Sequence, residues 1–148
     1  MLWLKRIDPL SRLIPAYFIK GRRPASAEKA VAVLRPGGLG DLVLLSRAAI
    51  ELRIDLQKLH WICERRNAPW ARYMGLPHSC YDSFHSLREL VSGRGCFQCV
   101  INSEQTFGLS ALYSARLCAA GGSHVGFSSN RRADLYSTSV PYMSLIHI

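Results

Sequence analysis

Apolar and polar positions along this chain follow two alternating periods. Between residues 29 and 127, short apolar runs are separated by stretches in which apolar residues recur every three or four positions. "KAVAVLR" (29–35) is a β-type run, and Leu42, Leu45, Ala49, Leu52 and Leu56 then lay one broad apolar face along a helix. "KLHWICE" (58–64) reads as a second strand. "RRNAPWARYMG" (65–75) reads as a turn and a short helix that Gly75 stops. "SCYDSF" (79–84) is a weaker strand signal and "CFQCVINSE" (96–104) a stronger one. A helix is predicted over "GLSALYSARLCAAG" (108–121), with Leu109, Leu112, Tyr113, Leu117 and Ala120 on one face, and "SHVGF" (123–127) as a last short strand. Strand and helix alternating at this spacing predict an α/β fold, a Rossmann-like parallel sheet with flanking helices.

Residues 1–28 read differently and are set apart from the domain expected over 29–148. Trp3, Ile7, Leu10, Ile14 and Tyr17 recur at helical spacing, but Pro9 and Pro15 limit any helix to short pieces. The first thirty residues hold seven basic side chains against Asp8 and Glu28, out of a net charge of +9 over 148 residues. A basic segment lying on an anionic membrane surface and an extension packed loosely on the domain both fit. A signal peptide does not, because Asp8 and Arg12 interrupt its apolar stretch. No apolar run approaches the roughly 20 residues of a spanning helix.

The charge points to an anionic partner: nucleic acid, a membrane surface or a phosphorylated small molecule. With 9% aromatics and no reader motif, specific nucleic-acid binding ranks last. Five cysteines, an odd number, suit a reducing compartment. Cys96 and Cys99 form a C-x-x-C without the second pair a zinc site needs, and Cys99 reads as a small buried hydrophobe, so no metal is expected.

"VLRPGGLGDLVLLSRAAIELR" (33–53) places three glycines and one carboxylate where a strand becomes a helix. Ligands of parallel sheets bind beyond the carboxyl ends of the strands. Glycine there permits close approach, and the helix start offers unpaired N–H groups. Gly38 and Gly40 supply two positions of a dinucleotide fingerprint, with Val43 where the third glycine would be and Glu64 about where a ribose-binding acid would sit. An NAD-type oxidoreductase domain is therefore one alternative. Asp41 suits a helix N-cap, and it also suits a general base that takes the proton of an attacking hydroxyl late in the reaction.

Taken together, "AVLRPGGLGDLVLLSRAAIELR", "HWICERRN" and "VINSEQTFGLSALYSARLCAAGGSHVGFSSNRRADLYSTSVPY" resemble glycosyltransferase family 9, the heptosyltransferase-like enzymes of lipopolysaccharide core assembly. The likeness runs from about residue 30 to the end. It implies the N-terminal acceptor domain of a GT-B fold, in which a second Rossmann-like domain takes a nucleotide-sugar donor such as ADP-heptose. It implies inverting sugar transfer to a phosphorylated glycolipid acceptor, with no metal or other cofactor, at the cytoplasmic face of a bacterial inner membrane. Asp41 then falls on the family's general base, and Gly38 and Gly40 on its acceptor loop. Glu104 and Gln105 face the acceptor, and Arg65, Arg66, Arg131 and Arg132 suit its phosphates. Many members have serines before the Gly-Asp pair, where this chain has Pro-Gly-Gly-Leu. The chain stops about where the interdomain region begins, so the donor domain is expected to be absent and the 148 residues alone to transfer nothing. A truncated, non-catalytic binding module is the other alternative.

Overall fold

A computed structural model describes residues 6–15, 31–84, 88 and 95–142. Six strands, β1 (Val31–Leu34), β2 (Leu59–Cys63), β3 (His78–Cys80), β4 (Phe97–Asn102), β5 (Cys118–Phe127) and β6 (Thr138–Val140), form one sheet in the order β3-β2-β1-β4-β5-β6. Every pairing is parallel. Among the described residues, helices α1 (Leu39–Glu51), α2 (Ala68–Tyr73) and α3 (Gly108–Leu117) pack against it. The fold is a Rossmann-like α/β layer in the doubly wound strand order.

Both faces of the central strands are covered, which is why β1 is apolar without alternation. Val33 joins Leu42, Ala49, Trp61, Ala71 and Leu76 in the layer under α1 and α2. Its neighbours Ala32 and Leu34 join Ile62, Val100, Tyr113 and Leu117 in the layer under α3. α1 stops earlier than the apolar spacing predicts: Leu52 is exposed and Leu56 lies in a separate 3-10 turn, Leu56–Lys58. Arg53 takes a left-handed conformation (φ 57°), and the amides of Arg53 and Ile54 bond back to Ile50 and Ala49, which satisfies the last carbonyls and turns the chain. Gly75 (φ 65°) ends α2 in the same way, as its sequence position predicts.

The second predicted helix is also too long. Cys118–Ala120 belong to β5, not α3. Cys118 and Ala119 are buried against β4, and Gly95 admits them: a Cβ on Gly95 would stand 2.6 Å from the Ala119 Cα. Gly121 (φ 78°) and Gly122 follow, where the register slips between Phe97 and Cys99 as a bulge. The short polar strand β6 has no counterpart in the apolar pattern.

The N-terminal stretch overturns its spacing more thoroughly. Asp8–Leu13 is a 3-10 helix that buries Asp8 and Ser11 and leaves Ile7, Leu10 and Ile14 exposed. It packs tightly on α3, where a Cβ on Gly108 would stand 2.4 Å from Ser11 Oγ. Trp3 and Tyr17 lie outside the described residues. Among the described residues no helix is long and apolar enough to cross a membrane.

Candidate functional site

The sheet order reverses between β1 and β4, and loops part there to leave a cleft of about 380 Å³. Pro36, Gly37 and Gly38 line it from the loop after β1, and Glu64 and Arg66 from the end of β2. Glu104, Thr106 and Phe107 follow β4, while Asp8 and Arg131 close the far side.

On the β1 side, Gly37 adopts φ 144°, open to glycine, and its carbonyl accepts from Asn67 Nδ2 at 2.8 Å. Gly38 is the N-cap of α1 and no side chain caps that end. Asp41 is therefore not the N-cap: it stands in the first turn of the helix, three residues further on, and its carboxylate pairs with Arg35 Nη2. Arg35 Nη1 donates to the Ser103 carbonyl at 2.7 Å and lies 3.9 Å from Glu104 Oε2. One guanidinium thus ties the loop after β1 to the loop after β4. Its Nε is buried without a hydrogen-bond partner among the described residues.

On the other side the arrangement is inverted. Glu64 accepts from Tyr81 Oη at 3.0 Å and pairs with Arg66 through its second oxygen. Asp8 accepts from Leu109 N at 2.8 Å and from Arg131 Nη1 at 2.7 Å, so this distant carboxylate caps α3 in place of Phe107, its N-cap residue. Exposure separates the roles. In the Arg35–Asp41 pair the cation is fixed (13% exposed) and the carboxylate presented (50%). In Arg66–Glu64 and Arg131–Asp8 the carboxylates are fixed (3% each) and the guanidiniums presented (65% and 45%).

The sequence-predicted residues divide accordingly. Gly38, Arg66, Glu104 and Arg131 line the cleft, and the Asp41 carboxylate lies beside its glycine wall, 3.7 Å from where a Cβ on Gly37 or Gly38 would be. Gly40 has open space around it, with nothing within 4 Å of a Cβ there. Arg65 is exposed outside the lining and donates its amide to Asp82 Oδ1. Gln105 contributes a carbonyl to Ser129 Oγ and does not line the cleft either. Arg132 is buried, pairs with Asp134 and donates to the carbonyls of Ser11 and Ile14, so it holds the N-terminal turn instead of facing the cleft.

Four residues of the site escape sequence reasoning. Arg35 could have been noticed as a cation closing an otherwise apolar buried strand. Asp8 and Asn67 carry no local signal, because their partners lie far along the chain. Asn102 ends β4: its Oδ1 accepts from Glu104 N at 3.0 Å and its Nδ2 donates to Ser110 Oγ and Tyr136 Oη, which sets the Glu104 loop. Burial pushes the Cys63 thiol up to about 12 and Cys118 up to about 11, so both stay protonated. No group of three or more metal-ligating side chains occurs among the described residues. Compared with known proteins, the chain matches no protein-family model, no curated protein and no solved structure.

Proposed function

We propose that the chain is the acceptor-binding half of a GT-B glycosyltransferase of the family 9 kind, acting on a phosphorylated glycolipid. The observation that carries this reading is the division of charge around the cleft: one carboxylate presented by a fixed cation, and two guanidiniums presented by fixed carboxylates. A phosphorylated acceptor needs both, a base for its hydroxyl and cations for its phosphates.

In this reading the acceptor hydroxyl gives its proton to Asp41 as its oxygen bonds to the anomeric carbon of the donor sugar. The bond from that carbon to the nucleoside diphosphate breaks on the opposite face, and the electron pair leaves with the diphosphate. Arg35 acts as a positioning residue that aims Asp41. Arg66 and Arg131 take the acceptor's phosphates, and Glu104 orients its sugar. A nucleotide sugar such as ADP-heptose comes from a donor domain.

The strand order also suits a dinucleotide, and Glu64 stands at the end of β2 where a ribose acid would. Both its oxygens, however, are already held by Tyr81 and Arg66. The test is transfer by the native gene product from a nucleotide sugar to a phosphorylated glycolipid core. Asp41→Asn should lower kcat by about 10²–10⁴-fold with little change in the acceptor KM. Unchanged turnover in that variant would remove the base, and saturable NAD binding with no acceptor binding would favour the dinucleotide reading.

A further inference from the structure

A 3-10 helix has three residues per turn, so side chains at i and i+3 stack into ridges. In the N-terminal turn (Asp8–Leu13, with helical backbone at Ile7) this sorts the residues by chemistry. Asp8 and Ser11 form the ridge that faces the protein, and both are buried. Arg6, Pro9 and Arg12 form a second ridge, exposed. Ile7, Leu10 and Leu13 form the third and point outward, Leu10 55% and Leu13 75% exposed, with Ile14 exposed beside them.

An amphipathic element that docks on a core buries its apolar ridge. This one does the reverse, because polar groups hold it down. Asp8 is bound by Leu109 N and Arg131, and Arg132 Nη1 donates to the carbonyls of Ser11 and Ile14. The apolar side chains are left in the open by the same contacts that fix the turn.

We propose that Ile7, Leu10, Leu13 and Ile14, flanked by Arg6 and Arg12, form a docking face for an anionic bilayer. Aliphatic side chains enter the interface while the two arginines meet lipid phosphates. Charge complementarity selects this occupant: seven of the first thirty residues are basic and only two acidic. Nucleic acid would use the arginines and leave the aliphatic ridge in water. Asp8, on the inward ridge of the same turn, also lines the cleft, so docking brings the cleft close to the headgroups, within reach of a lipid-borne ligand. The inference rests on the turn and the basic composition of the segment around it and not on sugar transfer, so each reading can fail without the other.

The experiment is co-sedimentation of the chain with vesicles of phosphatidylethanolamine and phosphatidylglycerol, against phosphatidylcholine alone. Binding to the anionic vesicles is expected, and Leu10→Ser with Leu13→Ser should weaken it by about tenfold or more. Both leucines project away from the protein, so the urea midpoint should hold. Tyr73→Ser, at a still more exposed apolar position on α2, should bind as wild type. Leu13→Trp should bind more tightly and gain blue-shifted emission on the anionic vesicles. Equal binding by the double serine variant would show attraction by net charge only and overturn the proposal. So would absence of vesicle binding, or a Leu13→Trp indole that stays in water.

Discussion

The β3-β2-β1 half of the sheet and the β4-β5-β6 half are held by different forces. The first closes mainly on aliphatic and aromatic groups, Val33, Leu42, Ala49, Leu59, Trp61, Ala71 and Leu76, with Ser46, Glu64 and Asn67 as its buried polar residues among those described. The second buries polar groups beside its apolar ones. His124 Nδ1 donates to the Leu135 carbonyl at 3.1 Å, its Nε2 accepts from Ser114 Oγ at 2.7 Å, and its ring meets Tyr136 edge-on. Asn102, Ser110, Asn130 and Arg132 complete that interior. Apolar burial is non-directional and tolerates small shifts, whereas a buried polar network holds one geometry and suffers when any member is lost. The directional half is the one that sets the Glu104 loop and the Asp8–Arg131 edge of the cleft.

The contrast can be broken by mutation and by pH. Leu42→Ala in the aliphatic half should cost about 3 kcal/mol in urea denaturation, and the same at pH 7 and pH 5. Acid should act on the other half. Burial lowers the His124 pKa to about 4 against an ordinary 6.5, so between those values the unfolded chain binds the extra proton. Stability is therefore full above pH 6.5 and falls as pH drops toward 4, by up to roughly 3 kcal/mol from this group. His124→Asn should lose that slope whatever its stability at neutral pH; an unchanged slope would assign the acid sensitivity elsewhere.

The two kinds of ion pair give the smaller effects. Asp8→Ala removes the cap of α3 and a buried acceptor of Arg131, at about 2 kcal/mol, since the half-exposed arginine can rehydrate. Asp41→Asn, altering an exposed carboxylate, should change the unfolding free energy measured in urea by less than about 0.5 kcal/mol. Similar losses from both would erase the distinction between fixed and presented carboxylates.

Much of the first half was legible because its signals are local. The β1 run, Gly75 as a helix stop and the glycine loop before Asp41 all depend on neighbours within a few residues. The length of α3 was misread because "LCAAG" suits a helix by composition, and the bare backbone of Gly95, some twenty residues away, recruits it to β5. The Arg-rich stretch 131–132 looked uniform, yet Arg131 faces the cleft while Arg132 is buried under the N-terminal turn.

The sequence by itself determined the alternation of elements, the parallel α/β class and the position of the glycine loop, since hydrophobic period and glycine conformation act over one or two turns of chain. Only the tertiary structure decided which charges are fixed and which are presented. Arg35 and Asp41, like Glu64 and Arg66, are near neighbours in sequence, but which partner of each is buried depends on the elements packed over it, and the third pair joins Asp8 to Arg131 across 123 residues. Desolvation of one partner and hydration of the other exist only once the chain has folded around them.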